Sequence, residues 1–457
     1  MKIDVLRGSL RGRVVEPDDP GYDDDRALYN GMIDKRPRAI AHCTDVADVI
    51  AAVRFAAEHE MLLAIRGGGH NGPGLGSCDG GLVLDLSAMN DRRVDIANAT
   101  VRVGPGCTQG DVDHATHPFG LAVPAGIVST TGIAGLTLGG GHGYLTRRFG
   151  LTIDNLLEAD VVLADGSFVT CNQRQHDDLF WAVRGGGGNF GVVTSFKFRA
   201  QPVRTIYGGP VFFDAEHTRE IMEWYRDWLP TAPREMYLFC GLKTVPDADP
   251  FPAEIRLSRI CALIGCWSGP TGEGQAAFDR ALAELPAPIF RHTGAMPFPM
   301  LQGLFDPLLP KGLQWYWKGD FVRELTDTAI DVHAEHGRAT PTPLSLMHLY
   351  PIDGAVHDVA ASATAWSYRD VRWSMVIAGI DPDPANAGKL TSWAKGYWDA
   401  LRGQTAGGAY VNFMMEEGQD RVQATYGTNY ARLVRIKTKY DPSNVFRVNQ
   451  NIRPAAA

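Results

Sequence analysis

In the first half of the chain, some segments repeat apolar residues with the period of a helix and others with the period of a strand. After Thr44, a typical N-cap residue, apolar side chains recur at helical spacing through Val46, Val49, Val53 and Ala57, which predicts a helix. Apolar or alternating runs predict strands at 61–66, 82–86, 101–103, 156–163, 167–171 and 192–198. Further helices are predicted at 108–117 and 178–184, and the polar residues before position 35 predict a strand and a loop.

The composition changes after Pro202, where runs of three or more consecutive glycines end. Helical spacing is found at 216–229, 275–285 and 387–401, and candidate strands lie at 207–213, 236–243, 255–266, 344–349 and 372–380. This mixture predicts an α+β domain with an antiparallel sheet. Within it, Trp315-Tyr-Trp-Lys318 fits a half-buried strand and a substrate-stacking wall equally well. The tail from position 406 is a third part, rich in tyrosine and asparagine.

Composition excludes several classes of protein. The 457 residues carry 52 acidic and 44 basic side chains, a net charge of −8, so a nucleic-acid partner is not expected. No apolar run approaches the roughly 20 residues that span a bilayer, and the first residues lack the apolar core of a signal peptide. These features predict a cytoplasmic protein without a membrane partner and leave its oligomeric state open. Seven scattered cysteines without a Cys-x-x-Cys pair favour neither a disulfide framework nor zinc.

Three glycine-rich stretches, at 67–81, 124–144 and 185–188, stand out in the first half of the chain. Glycine lets the backbone turn tightly and direct several N–H groups at one point, which suits a phosphate. The first stretch contains Gly-x-Gly-x-x-Gly, but Pro-Gly-Leu-Gly follows where a Rossmann fold needs a helix, and no Gly-Lys-Ser/Thr triplet marks a P-loop. One such stretch is usually a surface turn, whereas three favour loops that converge on one extended, anionic ligand.

His70 lies inside the first glycine-rich stretch, directly after Arg66-Gly-Gly-Gly. A histidine is usually a hydrogen-bonded structural residue, but an imidazole beside backbone N–H groups can also attack an electrophilic ring methyl of a flavin. We therefore interpret His70 as a covalent flavin attachment point. His142, in a similar glycine context, fits packing or hydrogen bonding better. His114 and His117 have the spacing of metal ligands on a helix, but no further ligand lies close in sequence, so no metal is expected.

Together these stretches resemble the berberine-bridge-enzyme-like branch of the vanillyl-alcohol oxidase superfamily, whose members carry FAD in a p-cresol-methylhydroxylase-type (PCMH-type) domain. Arg66-Gly-Gly-Gly-His70 resembles the histidyl-flavin motif of that family. Segments 124–155 and 181–191 resemble its second and third cofactor loops, and 410–412, 426–430 and 439–446 resemble its C-terminal berberine-like segment. The resemblance implies an α+β fold: a PCMH-type FAD-binding domain of two α/β subdomains at 1–204, a substrate-binding α+β domain at 205–405, and a segment at 406–457 that returns to the FAD domain.

The resemblance also implies which residues contact FAD. Besides His70, they are glycines and polar or small residues of the loops and the C-terminal segment: Arg66, Gly67, Gly68, Gly69, Asn71, Gly72, Gly76, Gly126, Thr130, Thr131, Gly132, Gly135, Gly139, Gly140, Gly141, Gly143, Asn155, Gly191, Val192, Asn412 and Asn449. Many members bind the flavin a second time through a cysteine in a Gly-x-Cys context. Here that context reads Gly126-Ile-Val128, and valine cannot form a thioether, so we expect attachment through His70 only.

Two tyrosines are the catalytic candidates that the resemblance implies. Tyr410 would be the base that accepts a proton while hydride passes to the flavin, and Tyr144 would orient the substrate. Packing with a satisfied hydroxyl fits both residues about equally well. A tyrosine titrates near pKa ~10, so a phenolate base needs a neighbouring cation or hydrogen-bond donors.

The leading hypothesis is a flavin-dependent oxidase. It removes hydride from a small alcohol, sugar, amine or secondary metabolite and passes the electrons to molecular oxygen, which gives hydrogen peroxide. Two alternatives stay open: a flavin dehydrogenase of the same fold with poor oxygen reactivity, and a flavin-binding protein without turnover. A nicotinamide dehydrogenase is disfavoured because no helix follows Gly72.

Overall fold

The computed structural model describes residues 3–456 and begins with a small sheet. Its strands are β1 (Val14–Val15), β2 (Ala39–His42), β3 (Leu63–Arg66) and β4 (Leu82–Asp85). They lie in the order β1-β2-β4-β3, and only β1 is antiparallel to its neighbour. Three helices accompany them: α1 (Ile3–Ser9), α2 (Tyr22–Arg26) and α3 (Val46–Glu58).

The prediction for the first 35 residues was wrong in part, since α1 and α2 lie beside the short strand β1. Ile3 and Leu6, three residues apart, bury one face of α1 in the same core as α3, and this helical spacing was overlooked. The N-cap of α3 is Asp45, which accepts the N–H of Asp48, and not Thr44. The Thr44 hydroxyl instead donates to the Asp48 carboxylate over 2.8 Å.

A second sheet completes the glycine-rich half. Its five antiparallel strands are β5 (Arg92–Asp95), β6 (Thr100–Val103), β8 (Leu156–Val162), β9 (Phe168–Asn172) and β10 (Val192–Arg199). Their order is β5-β6-β10-β8-β9, and a separate pair joins β7 (Leu121–Ala122) to β11 (Gln201–Pro202). The helices are α4 (Gln109–Thr116), α5 (Ile133–Gly139), α6 (Thr146–Phe149) and α7 (Asp177–Val183).

The central part of the chain forms one large antiparallel sheet, as the sequence predicted. Its strands are β12 (Thr205–Asp214), β13 (Met236–Thr244), β14 (Arg259–Trp267), β15 (Phe290–Arg291), β16 (Gly294–Pro297), β17 (Gln314–Val322), β18 (Leu346–Pro351) and β19 (Trp373–Asp381). The order is β15-β12-β14-β13-β18-β19-β17, and β16 pairs with β12. The helices are α8 (Thr218–Trp228), α9 (Gly274–Leu282), α10 (Phe298–Gln302), α11 (Asp327–Arg338) and α12 (Ala387–Ala400).

The two faces of this sheet belong to different cores, because side chains alternate along each strand. On β13, Leu238, Cys240 and Leu242 pack in the core that includes α8, α9 and α12. Tyr237 and Phe239 point to the opposite face, into a core shared with residues of the glycine-rich half. The sheet is therefore covered by helices on one side and by residues of the glycine-rich half on the other.

The tail folds back onto the glycine-rich half. It contains α13 (Gln419–Tyr426) and α14 (Tyr430–Tyr440), and its apolar residues share a core with β6, β8, β10 and α7. Lys437 and Asp441 are both completely buried and form an ion pair at 2.6 Å. Within residues 3–456, none of the helices has the length and apolar character needed to cross a lipid bilayer.

Candidate functional site

Segments from all three parts of the chain enclose a cavity of about 350 Å³, a size typical of ligand sites. The glycine-rich stretches, the large sheet and the tail all contribute residues to its wall. Of the residues predicted to bind a cofactor, those in the cavity wall are Arg66, Gly67, Gly68, Gly69, His70, Asn71, Gly76, Gly126, Thr131, Gly132, Gly135, Gly139, Gly191, Asn412 and Asn449. The three stretches, far apart in sequence, therefore meet at one place.

The first and second glycine-rich stretches touch backbone to backbone at Gly68 and Gly132. A Cβ atom on Gly68 would lie 2.5 Å from the Gly132 nitrogen, and a Cβ on Gly132 would lie 2.5 Å from the Gly68 nitrogen. Any side chain at either position would push the two loops apart. The tail approaches the second glycine-rich stretch as closely, because a Cβ on Gly139 would lie 2.4 Å from Oδ1 of Asn412.

Arg66 places a buried positive charge in the cavity wall. Its Nε donates to Oδ2 of Asp85 over 2.6 Å, across the parallel strands β3 and β4. Burial acts to raise the pKa of Asp85, but hydrogen bonds from His42 and Ser87 and the Arg66 charge lower it well below its usual range. The Nη1 atom of Arg66 is buried and has no hydrogen-bond partner among residues 3–456. A guanidinium group with an unused N–H donor suits an anionic oxygen.

His70 stands in the same wall and is held from two sides. Its ring stacks on Tyr29 with centroids 3.8 Å apart, and its Nε2 lies 3.1 Å from the Thr130 hydroxyl. Burial lowers the pKa of His70 to about 4, so the imidazole is neutral at pH 7. A neutral imidazole whose Nε2 is occupied presents Nδ1 as its free nitrogen. Tyr29 was not predicted as a site residue, since nothing in the local sequence connects it to His70.

Tyr410 lies at the junction of the tail and the second glycine-rich stretch. Its hydroxyl oxygen accepts hydrogen bonds from Asn412 Nδ2 at 2.8 Å and from the Gly141 N–H at 3.2 Å. Burial raises the pKa of Tyr410 above its ordinary value, and these two donors act in the opposite direction. His142 packs 4.6 Å from the Tyr410 ring and bonds Ser374 through Nε2, which agrees with the predicted packing or hydrogen-bonding role.

The other predicted site residues are not part of the cavity wall: Gly72, Thr130, Gly140, Gly141, Gly143, Asn155, Val192 and Tyr144. Thr130 and Gly141 lie behind the wall, where Thr130 contacts His70 and Gly141 donates to Tyr410. Asn155 bonds the carbonyls of Phe149 and Leu151 and so closes its own loop.

The position of Tyr144 does not support contact with a substrate. Its ring is buried against Tyr237 and Phe239, in the core between the large sheet and the glycine-rich half. Its hydroxyl has no hydrogen-bond partner within residues 3–456. Tyr144 therefore lies outside the wall of the cavity in which a substrate would bind.

The large sheet contributes a wall that sequence reasoning found only in part. Trp315 and Trp317 lie on β17 and line the cavity. The run at 315–318 is therefore a strand that also forms part of the cavity wall. His348 and Tyr350 on β18 line it as well and were not predicted. The available signal was one histidine in the otherwise apolar run Leu-Met-His-Leu. In the part of the chain that the structure describes, no three His, Cys, Asp or Glu residues are arranged to hold a metal ion.

Two family models match the sequence at the segments that form the cavity. The model described as "FAD binding domain" matches residues 37–172, and the one described as "Berberine and berberine like" matches residues 409–453. The first match covers β2, β3 and β4 and the first two glycine-rich stretches, and the second covers most of the tail.

Whole-chain comparisons agree with these matches. An FAD-linked oxidoreductase of Dictyostelium discoideum is 30% identical over 432 residues, which cover 93% of this chain and 91% of that protein. The (R)-6-hydroxynicotine oxidase of Paenarthrobacter nicotinovorans is 42% identical over 189 residues, 41% of each chain. The crystal structure of 6-hydroxy-D-nicotine oxidase from Arthrobacter nicotinovorans superimposes with a TM-score of 0.87 at 26% identity and covers 98% of this chain and 99% of that one.

Proposed function

Because the chain belongs to the berberine-bridge-enzyme-like FAD-linked oxidoreductases, we propose that it is an oxidase with FAD attached covalently through His70 alone. Its substrate is a small alcohol, sugar, amine or secondary metabolite, and its electron acceptor is molecular oxygen. The observation that carries this proposal is the neutral His70 imidazole, fixed between Tyr29 and Thr130 in the wall of the cavity.

The residues of the cavity fit a dinucleotide flavin. Arg66 offers an unpaired N–H to a phosphate oxygen, and the glycine loops leave room for main-chain contact. At Gly135 and Gly188, both in the wall, an added Cβ would meet no atom within 4 Å, so the backbone there is open to the cavity. Val128 also lines the cavity, and a valine supplies no sulfur for a second bond. This supports attachment through one residue.

The chemistry divides between the cofactor and the chain. When bound, FAD supplies the two-electron acceptor and the transfer of electrons to oxygen. The chain supplies the enclosure and the proton acceptor, for which Tyr410 is the candidate. Asn412 and Gly141 both donate to its oxygen, which favours the phenolate, while burial favours the neutral phenol. In the described part of the chain, no lysine or arginine hydrogen-bonds to Tyr410.

The attachment is tested on the protein as purified from cells. After acid precipitation of wild type, we expect the yellow colour in the pellet. The variant His70→Ala should release its flavin to the supernatant, while the control His114→Ala, which changes an exposed histidine on α4, should keep it. A wild-type pellet without colour, or a coloured His70→Ala pellet, would contradict the proposed bond.

The electron acceptor and turnover need separate measurements. Stopped-flow mixing of the reduced protein with air-saturated buffer should restore the oxidised flavin spectrum quickly and release hydrogen peroxide. Slow return of the spectrum would favour the dehydrogenase. Anaerobic incubation with alcohols, sugars and amines should bleach the flavin with at least one class. If the flavin keeps its colour with every compound, a binding protein without turnover is favoured.

A further inference from the structure

The sheet side of the cavity is almost entirely aromatic or aliphatic. Phe305, Trp315, Trp317, Leu346, Val376 and Ala378 line it, from the strands β17, β18 and β19 and from the segment before β17. No aspartate or glutamate lines the cavity in the part of the chain that the structure describes. A sugar brings several hydroxyl groups, and each one left without a partner on burial costs free energy. This wall therefore disfavours sugars and suits a flat apolar ring.

The polar atoms that this wall leaves unpaired are hydrogen-bond donors. The indole Nε1 atom of Trp315 is buried and has no partner within residues 3–456. That of Trp317 is unpaired there as well, but it lies against the backbone of Gly72, which is not part of the cavity wall. Nε2 of His348 is buried too and has no hydrogen-bond partner in the described part of the chain. Buried donors without partners are rare in folded proteins, and at a cavity they indicate a ligand that brings acceptor atoms.

The tautomer of His348 follows from its neighbour. Nδ1 of His348 lies 2.7 Å from the Tyr350 hydroxyl, which makes no other hydrogen bond in the described structure. Burial raises the pKa of Tyr350, so the phenol keeps its proton, and Nδ1 is the acceptor within hydrogen-bond distance of this proton in the described structure. Burial, assisted by the charge of Lys243, lowers the pKa of His348 to about 3, so the imidazole is neutral. Nε2 therefore carries the remaining proton as a donor.

The ring of His348 is also fixed against the neighbouring strand. An added Cβ on Gly241 of β13 would lie 2.8 Å from Cδ2 and 3.2 Å from Nε2 of His348, so the ring lies close to that backbone. Lys243, two residues further along β13, is buried with Nζ 5.6 Å from the centroid of Phe305. No carboxylate within residues 3–456 forms an ion pair with it. Its positive charge favours an electron-rich ligand beside His348.

We propose that this chamber binds a flat aromatic substrate whose ring packs among Phe305, Trp315 and Trp317, and that Nε2–H of His348 donates to an acceptor atom on that ring's substituent. Tyr350 is a positioning residue that fixes the His348 tautomer. This inference rests on the proposed flavin-dependent oxidation and narrows its substrate to aromatic compounds with a carbonyl, phenolate or comparable acceptor.

The test measures binding to the flavin-loaded protein and needs no turnover. Acetophenone supplies a ring with an acceptor, toluene a ring without one, cyclohexyl methyl ketone an acceptor without an aromatic ring, and cellobiose represents sugars. Calorimetry and the shift of the visible flavin band report their dissociation constants. We expect acetophenone to bind most tightly and cellobiose not to bind. Equal binding of the two ketones, or tighter binding of cellobiose, would overturn the proposal.

Variants separate the hydrogen bond from the packing. His348→Leu should weaken the binding of acetophenone about tenfold and leave the binding of toluene unchanged. His348→Gln should retain part of the affinity for acetophenone through its amide donor. The exposed control His292→Leu should change the binding of neither probe. Ala378→Leu, which adds bulk to the wall, should weaken both aromatic probes and serves if His348→Leu does not fold. Unchanged acetophenone binding in either variant would overturn the proposal. A colourless acid pellet would instead refute the flavin attachment, so the two failures are distinguishable.

Discussion

The rings of Tyr29 and His70 stack 3.8 Å apart and 18° from parallel. Tyr29 is itself held by the segment before β17, because its hydroxyl donates to the Leu309 carbonyl over 2.7 Å. The next residue, Asn30, donates to the carbonyls of Gly72 and Trp315. The segment before β2 thus links the loop that carries His70 to the strand that forms the opposite wall of the cavity.

This relationship predicts that Tyr29 governs flavin attachment. Tyr29→Leu removes the ring that holds the imidazole plane, and we expect a clearly smaller fraction of covalent flavin in protein expressed under identical conditions. Tyr29→Phe keeps the stack and should stay near wild type. The ratio of flavin in the acid pellet to flavin in the supernatant measures this. The same ratio in all three proteins would show that the stack has no role.

Tyr410→Phe should lower kcat by about 100-fold or more, the usual contribution of a general base, with little change in KM and no loss of bound flavin. The half-buried Tyr430→Phe serves as the control and should leave kcat unchanged. Because burial raises the pKa of Tyr410 above its ordinary value, the neutral phenol is the main form at pH 7. Its phenolate fraction grows as the pH rises. The wild-type kcat should therefore increase above pH 7, and this increase should disappear in Tyr410→Phe. An identical pH profile in both would assign the base elsewhere.

Asp113 predicts a pH dependence of stability. Burial raises its pKa to about 8, only partly offset by Gln302, and its Oδ2 has no hydrogen-bond partner in the described chain. Because the folded-state pKa exceeds the unfolded value of about 3.9, the folded protein binds this proton more tightly. The stability that this proton contributes is fully present below about pH 4 and is lost as the pH rises towards 8. Each pKa unit between the folded and unfolded values corresponds to about 1.4 kcal/mol in the free energy of unfolding.

Asp113→Asn should remove this dependence. The difference in thermal unfolding midpoint, variant minus wild type, should grow from pH 5 to pH 8 in favour of the variant. Scanning calorimetry of the two proteins across this range measures it. A difference that stays constant with pH would mean that Asp113 has the same pKa in both states.

The ion pair of Lys437 and Asp441 predicts how firmly the tail is held. Lys437 also donates to the carbonyls of Asn189 and Phe446, so it joins the tail to the third glycine-rich stretch. Lys437→Met leaves a buried carboxylate without its cation and should cost about 3–5 kcal/mol. Hydrogen exchange of residues 441–452 should rise strongly.

The matched control is Lys439→Met, two residues away. Lys439 pairs with Asp178 at the same distance of 2.6 Å, but its side chain is 59% exposed. An exposed pair contributes less than about 1 kcal/mol, so this variant should leave stability and exchange nearly unchanged. Equal effects of the two substitutions would show that burial does not decide the strength of the pair.

Much of the fold follows from local spacing. Five strands of the large sheet, β12, β13, β14, β18 and β19, were predicted within a few residues, because apolar side chains on both faces produce continuous apolar runs such as that of β13. The short strands β15 and β16 were not predicted. Thr108 was expected at the start of a helix, and it caps α4 together with Asp111. The helices α11, α13 and α14 were missed, since polar residues and glycines interrupt their apolar spacing.

The sequence by itself determined the glycine-rich loops, the antiparallel sheet and the candidate attachment residue His70, because backbone freedom and side-chain period are properties of neighbouring residues. Only the tertiary structure decided that Tyr29 stacks on His70, that Tyr144 is buried in a core, and that His348 faces the cavity. These contacts join residues far apart in the chain, and their distances depend on how the sheets pack. A local pattern carries no information about that packing.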